Sequence, residues 1–146
     1  MKLIFIDIDG VLNSASGEGP YISDMEIDKL ELLRNLIQDT DTNGIVITSD
    51  RRYSKIDIAN KIEAFDSFQI HVVGVLRNPI IEDDFDNRGK QVLDYLSSFK
   101  EDIDKMVIID DEDDGISDSF KENFIQVNRF YGLSLKNIES IKKLLN

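Results

Sequence analysis

Short apolar runs alternate along the chain with stretches whose apolar residues recur every three or four positions. The apolar runs are rich in β-branched residues and predict buried strands at 3–8, 44–49, 70–76, 105–111 and 124–127. Stretches with helical periodicity separate them, covering about 24–39, 54–65, 88–99, 115–123 and 135–145. This alternation predicts an α/β fold of the Rossmann-like, three-layer α/β/α type, with a central parallel sheet of about five strands.

Capping residues and the apolar stripe refine two of the predicted helices. Ser23 or Asp24 is expected to cap the first helix, because short polar side chains there accept hydrogen bonds from free backbone N–H groups. In the second helix, the periodicity predicts that the apolar side chains at four positions face the core: Ile56, Ile58, Ile62 and Phe65.

Two polar segments predict loops. Residues 13–23, which contain two glycines and a proline, predict a loop or small flap. Residues 77–87 predict an acidic loop around Pro79. Its carboxylates Asp83, Asp84 and Asp86 are interpreted as solvated side chains and not as a second metal site.

Length and composition narrow the class of protein. The chain has 146 residues, which suits a single domain spanning 1–146. Its formal net charge is 17 − 29 = −12, which argues against sequence-blind binding of nucleic acid and against docking on anionic membranes. The absence of cysteine excludes disulfides, thiolate metal sites and a cysteine nucleophile.

The apolar runs are too short for a membrane protein. None approaches the roughly 20 residues that a spanning helix needs. Asp7 and Asp9 interrupt the N-terminal run too early for a signal peptide. We therefore expect a soluble, cytoplasmic protein without membrane contact.

Polar residues follow the predicted strands in a way that indicates a site. In a doubly wound sheet, ligands bind beyond the carboxyl ends of the strands. The chain places carboxylates, hydroxyls and cations at these positions or at the start of the third helix: Asp7, Asp9 and Gly10; Thr48, Ser49 and Arg51; Arg88 and Lys90; Asp110 and Asp111.

This assortment of side chains suits phosphoryl transfer. Of Asp7 and Asp9, one can attack phosphorus while the other handles a proton. Several carboxylates at one point repel each other, and Mg²⁺, which prefers oxygen ligands, relieves that repulsion. Thr48 or Ser49 can donate a hydrogen bond to a phosphoryl oxygen, and Arg88 or Lys90 can neutralise charge in the transition state. Gly10 leaves room for close approach of the backbone.

Four segments resemble, in order, the motifs of the haloacid dehalogenase (HAD) superfamily. FIDIDGVLN resembles the first motif, IVITSDR the second, RGKQVLDYL the third and VIIDD the fourth. The later YGLS before a helix is similar to a small HAD branch found with RNA-repair proteins. The resemblance covers nearly the whole chain and implies a HAD-like hydrolase domain.

The resemblance also implies roles for the strand-end residues. Asp7 would be the nucleophile that forms an aspartyl-phosphate, and Asp9 the general acid and base. Mg²⁺ would be held by Asp7, by the Asp9 backbone carbonyl and by a carboxylate of the pair Asp110 and Asp111. The implied reaction is hydrolysis of a phosphomonoester, with a phosphorylated small molecule or a nucleotide as substrate.

Two phosphate contacts stay open between alternatives. Thr48 followed by Ser49 resembles the deoxyribonucleotidase pattern, whereas the polynucleotide 3′-phosphatase pattern would select Ser49 and Arg51. For the third motif, the Arg-Gly pattern favours Arg88, but Lys is the commoner residue type, which favours Lys90.

The spacing of the motifs leaves no room for a large cap domain. Capless sites in this superfamily are open, which implies large substrates, and GEGPY resembles the flap of polynucleotide phosphatases. The net charge of −12 opposes a nucleic-acid end as substrate. A receiver-like signalling domain is a further alternative, but its phospho-acceptor would follow the third strand, which here ends in Val75, Leu76 and Arg77. A third alternative is a protein that binds a phosphorylated partner without efficient turnover.

Overall fold

A computed structural model describes residues 1–17, 19–78 and 87–146. Its strands are β1 (Lys2–Ile6), β2 (Tyr21–Ile22), β3 (Met25–Glu26), β4 (Gly44–Ile47), β5 (Val72–Val75), β6 (Lys105–Asp110) and β7 (Phe124–Gln126). Five of them form one sheet in the order β5-β4-β1-β6-β7, in which every pairing is parallel. The short strands β2 and β3 pair with each other as an antiparallel hairpin. The predicted α/β fold with a parallel sheet of about five strands is therefore confirmed.

Helices connect the parallel strands. They are α1 (Ile27–Thr40), α2 (Lys55–Ser67), α3 (Arg88–Ser98), α4 (Ile116–Phe120) and α5 (Leu135–Leu145). Short 3₁₀ segments at Asp50–Tyr53 and Lys121–Asn123 complete two of the connections. None of the described helices is both long enough and apolar enough to cross a membrane.

The central strand β1 carries the two cores of the molecule on its opposite faces. Ile4 and Ile6 are buried in a core shared with α1 and α5, whereas Leu3 and Phe5 are buried in a second core shared with α3 and α4. Successive side chains of a strand point to opposite faces, so a strand covered on both sides is apolar throughout. This explains the continuous run LIFI and the three-layer architecture.

The prediction of the first helix start is wrong. Helix α1 begins at Ile27, and its N-cap is Glu26, whose side chain makes no capping hydrogen bond. Ser23 and Asp24 instead form the turn between β2 and β3, with φ angles of 48° and 62°. Short polar residues tolerate this left-handed conformation, so the same chemistry that suits a helix cap also suits a tight turn.

Two of the apolar residues assigned to the core side of α2 face solvent. Ile56 is 78 % exposed and Ile62 is 37 % exposed, whereas Phe65 is fully buried. Lys61 instead occupies a buried position on the core side of α2. Its side chain is 1 % exposed, and its ammonium lies 2.7 Å from Asp57. The amphipathic stripe of α2 is therefore rotated from the predicted one.

The connections are short where the superfamily can carry a cap. In the described ranges 1–17 and 19–78, the strands of the parallel sheet are separated by the β2–β3 hairpin, α1, the 3₁₀ segment Asp50–Tyr53 and α2, so no large cap is present there. The predicted acidic loop at 77–87, with Asp83, Asp84 and Asp86, lies mostly outside the described residues. The single domain over 1–146 and the cytoplasmic location stay predictions.

Gly89 allows α3 to pack closely on the start of α4. A Cβ atom at Gly89 would collide with the carbonyl oxygen of Gly115. We expect Gly89→Ala to destabilise the protein by about 2 kcal/mol, since the backbones would have to separate. Thermal unfolding measures this, with the surface variant Ser97→Ala in the same helix as control. A Gly89→Ala protein as stable as the control would contradict the close packing.

Candidate active site

The hydrogen bonds of the parallel ladder continue one residue past the central strands and bring their ends together. Asp7 N–H donates to Ile109 at 3.0 Å, and Thr48 N–H donates to Ile6 at 3.0 Å. These bonds align the ends of β1, β4 and β6 at one edge of the sheet. The strand order changes direction on either side of β1, so this edge is the switch point at which such sheets bind ligands.

A cavity of about 430 Å³ opens at this edge. Its lining residues are mostly charged: Asp7, Asp9, Gly10, Ala15, Ser49, Asp50, Arg88, Asp110, Asp111, Glu112, Asp114 and Arg129. Seven of these residues are acidic and two are arginines. So large an excess of negative charge in one cavity favours a cation as part of its contents.

Three carboxylates converge inside the cavity. Asp7, Asp110 and Asp111 each offer an oxygen, and these three atoms lie within 4.8 Å of one another. Burial raises the pKa of Asp7 to about 6 and is also the main cause of the raised pKa of Asp110, to which the nearby Asp7 charge adds. An all-oxygen set of crowded, desolvated carboxylates fits a hard divalent cation such as Mg²⁺, with Asp7, Asp110 and Asp111 as the side chains that would hold it.

Arg88 supplies positive charge to the same point. Its Nη1 atom lies 4.0 Å from Asp7 Oδ1 and 3.6 Å from Asp110 Oδ2, and Nη2 donates to Asp50 at 3.2 Å. Neither Nη1 nor Nε makes a hydrogen bond within the described part of the chain, although both are buried. A buried guanidinium with unused donors is suited to an anionic ligand such as a phosphoryl group.

Gly10 is required by the packing of Asp111. With φ at +81°, Gly10 adopts a conformation that favours glycine, and a Cβ there would lie 2.5 Å from Asp111 Oδ2. The Asp111 side chain lies in the space that Gly10 leaves, and the close approach of the Gly10 backbone to a ligand stays a prediction. Asp9 lies at the cavity edge, with its side chain 54 % exposed.

Arg51 binds Asp9 through two hydrogen bonds. Nε and Nη2 of Arg51 donate to the two carboxylate oxygens of Asp9 at 2.9 and 3.0 Å, and Asn13 donates a third bond at 3.0 Å. These bonds, those from Arg51 foremost, lower the pKa of Asp9. Arg51 also contacts Asp57 at 3.2 Å and Asp24 at 3.6 Å, which connects Asp9 to α2 and to the β2–β3 hairpin.

The structure separates the members of both ambiguous pairs. Ser49 lines the cavity, whereas the Thr48 side chain is buried, does not line the cavity, and its hydroxyl has no hydrogen-bond partner in the described chain. Arg88 lines the cavity, whereas Lys90 is exposed and does not. Arg51 reaches the site through Asp9 and is not itself a lining residue.

Sequence reasoning missed several residues of the cavity, Arg129 above all. Arg129 Nη2 donates to Asp111 at 2.9 Å and to Glu112 at 2.5 Å. A signal in the sequence was available: Arg129 lies two residues after the fifth predicted strand, and residues beyond the carboxyl ends of strands are where such sheets bind ligands. The other missed lining residues are Ala15, Glu112 and Asp114.

The parallel sheet and the acidic cavity at its switch point agree with a HAD-like α/β fold. Residues 3–138 match the family described as the HAD domain in Swiss Army Knife RNA repair proteins. No curated protein matches the chain. The chain therefore belongs to this HAD family, as its motifs predicted, and a HAD domain indicates a hydrolase of the phosphatase type.

The crowded carboxylates predict an unusual pH dependence of stability. A carboxyl group whose pKa is higher in the folded than in the unfolded protein binds extra protons on folding, so its contribution lowers stability as pH rises. For Asp7 this loss of stability falls between pH 3.8, the ordinary pKa of the group, and about pH 6. For Asp110 it falls between pH 3.8 and about pH 8. We expect metal-free Asp110→Asn to be more stable than the parent by on the order of 2 kcal/mol near pH 8.

Thermal unfolding of metal-free protein across this pH range measures the effect. Mg²⁺ should stabilise the parent but not Asp110→Asn, since a ligand stabilises only the form that binds it. Asp102→Asn, which removes an exposed carboxylate, is the matched control. Equal or lower stability of Asp110→Asn near pH 8 would contradict the crowding of the carboxylates.

Proposed function

We propose that this protein is a Mg²⁺-dependent phosphomonoester hydrolase that works through an aspartyl-phosphate on Asp7. One observation carries the proposal: oxygens of Asp7, Asp110 and Asp111 lie within 4.8 Å of one another, beside two Arg88 nitrogens that make no hydrogen bond to a described residue. A divalent cation would offset the charge of the three carboxylates, and Nη1 and Nε of Arg88 could then donate to the oxygens of a phosphoryl group.

In the first step, an oxygen of Asp7 attacks phosphorus and the bond from phosphorus to the leaving oxygen breaks. Asp9 delivers a proton to that oxygen, so the product alcohol leaves neutral. Arg88 and the Ser49 hydroxyl donate hydrogen bonds to the phosphoryl oxygens, whose negative charge they balance. Asp7, Asp110 and Asp111 would hold Mg²⁺, which would polarise the phosphoryl group as a Lewis acid and reduce the repulsion between that group and the attacking carboxylate.

In the second step, Asp9 takes a proton from water, and the water oxygen attacks phosphorus. The bond between phosphorus and Asp7 breaks, which releases inorganic phosphate and restores both carboxyl groups. The lowered pKa of Asp9 favours the carboxylate, the form that a base needs, so the acid role in the first step requires Asp9 to take up a proton before the leaving oxygen departs. Arg51 is proposed to hold Asp9 in place through its two hydrogen bonds.

The substrate is proposed to be a nucleotide or RNA phosphate in preference to other phosphomonoesters. The family description, which places these domains in RNA repair proteins, supports this choice. The seven acidic side chains of the cavity oppose deep entry of a polyanion, so most of such a substrate would lie outside it. Of the alternatives, a receiver-like domain receives no support, because residues 76–78, which follow β5, contain no carboxylate.

Phosphate release from p-nitrophenyl phosphate and from a panel of nucleotides tests the proposed activity. We expect hydrolysis with Mg²⁺, and its loss when the metal is removed with a chelator and recovery when Mg²⁺ is added back. Hydrolysis that continues unchanged after metal removal would contradict the proposal. So would a tight, phosphate-dependent complex without turnover across the panel.

A further inference from the structure

The turn after β7 exposes an arginine that lines the cavity and, next to it in the chain, two aromatic residues, of which Tyr131 lines a neighbouring cavity together with Ser14 and Ser16. The side chain of Arg129 is 63 % exposed, and the residues Phe130 and Tyr131 are 51 % and 61 % exposed. The two rings contact each other edge to face, with centroids 5.0 Å apart. Two exposed aromatic rings in contact, next to an exposed arginine, are a candidate contact surface, and this group of three residues is called the rim triplet.

Backbone and side-chain hydrogen bonds hold the rim triplet in place. Asn128 accepts from Phe130 N–H through its side chain at 2.9 Å and from Tyr131 N–H through its carbonyl at 3.1 Å. The carbonyls of Arg129 and Phe130 accept from the N–H groups of Ala15 and Ser16 at 3.1 and 3.0 Å. The triplet is therefore fixed to the loop around Ala15, which also lines the cavity.

Arg129 lies beside the place of the reaction but outside it. Its Nη2 atom is 2.9 Å from Asp111, which in turn belongs to the group of carboxylates around Asp7. All of its hydrogen bonds to described residues use Nε and Nη2, which leaves the N–H groups of Nη1 for a ligand. Because Arg88 already serves the reacting phosphoryl group, a second cation here suits a second anionic group of the same substrate.

We propose that the rim triplet binds the leaving group of the substrate, with Arg129 on a second phosphate and the rings of Phe130 and Tyr131 on a nucleobase. This inference rests on the proposed phosphatase function and deepens it. Stacking on exposed aromatic rings combined with an arginine contact to phosphate is how proteins bind nucleotides without reading their sequence. The triplet therefore favours substrates that carry a nucleobase and a second phosphate over a sugar monophosphate, which has neither.

A comparison of kcat/KM across four substrates tests the inference. They are ribose 5-phosphate, adenosine 5′-monophosphate, adenosine 3′,5′-bisphosphate and a short oligonucleotide ending in a 3′-phosphate. With Arg129→Gln, we expect the loss for the bisphosphate to exceed the loss for ribose 5-phosphate by about tenfold or more, mainly through KM. With Phe130→Ala combined with Tyr131→Ala, the loss for adenosine monophosphate should exceed that for ribose 5-phosphate by about tenfold.

Ile56→Ala, which truncates an exposed apolar side chain on α2, is the matched control and should leave all four values unchanged. Losses of equal size for all four substrates in the rim variants would overturn the inference while leaving the phosphatase function intact. Absence of turnover of every substrate by the unmodified protein would overturn the proposed function, and this inference with it. A rim effect confined to the oligonucleotide would identify a polynucleotide end as the source of the second phosphate.

Discussion

Asp7→Asn should reduce turnover of any phosphomonoester by about ten-thousandfold or more, because a carboxamide cannot form the phosphoryl-enzyme bond. The substitution keeps the size of the side chain and removes a charge that burial disfavours, as the raised pKa of Asp7, about 6, indicates. We therefore expect the variant to be folded and at least as stable as the parent when metal is absent.

Steady-state hydrolysis of p-nitrophenyl phosphate in the presence of Mg²⁺ measures the loss, and thermal unfolding shows that the variant is intact. Asp102→Asn, an exposed carboxylate outside the cavity, is the control and should keep full activity. If Asp7→Asn retained full activity, the nucleophilic role of Asp7 would be excluded.

Asp9→Asn is expected to have the second-largest effect, and its size should depend on the leaving group. With an alkyl phosphate, whose leaving oxygen needs a proton, the loss should be about a hundredfold to ten-thousandfold. With p-nitrophenyl phosphate the first step needs no general acid, but the second step still lacks its base. The variant should then release one equivalent of p-nitrophenol rapidly and continue slowly, because the aspartyl-phosphate accumulates.

Stopped-flow absorbance of p-nitrophenol measures this burst, and the Asp102→Asn protein, which keeps Asp9, should show none. Equal losses with both substrates and no burst would contradict the acid and base role of Asp9. The bidentate contact from Arg51 adds a further expectation: in the parent enzyme the base form of Asp9 persists to low pH, since this contact lowers the pKa of Asp9.

The fold could be predicted from the sequence because the apolar runs and the helical periodicity indicate the same alternation of strands and helices. Runs such as LIFI and GIVI are apolar at every position, which is typical of strands that are buried on both faces of a sheet. The helices predicted between these strands pack on the two faces and bury them. The first helix start was not predictable in the same way. Ser23 and Asp24 satisfy the preferences of both a cap and a left-handed turn, and only the pairing of Tyr21 with Glu26 decides between them.

The neighbourhood of the candidate site was also predictable, because parallel strands end at one edge and the strand-end residues therefore meet. What the sequence left open depends on side-chain direction within a single turn. Ser49 and Arg88 line the cavity whereas Thr48 and Lys90 do not. Thr48 and Ser49 are adjacent in the chain, and Arg88 and Lys90 are two residues apart in α3, so small differences in position decide which side chain enters the cavity. The chemical roles of all these residues stay predictions.

Arg129 shows a different limit of sequence reasoning. It follows a short strand, β7, of three residues, and its side chain reaches the cavity by crossing to Asp111 and Glu112. The strand-end rule indicates that Arg129 lies near this edge of the sheet, but its pairing with two carboxylates of another loop depends on tertiary placement, which no local pattern encodes. The exposed rings next to it carry no periodic signal either.

Chemical trapping of the intermediate tests the central claim most directly. Asp9→Asn protein is mixed with p-nitrophenyl phosphate and Mg²⁺, quenched in acid during the burst and reduced with borohydride, which converts an aspartyl-phosphate into homoserine. Peptide mass spectrometry then locates the modified residue. The account predicts homoserine at position 7 only when substrate is present; unmodified Asp7 in protein that has released p-nitrophenol, or modification at another carboxylate, would contradict it.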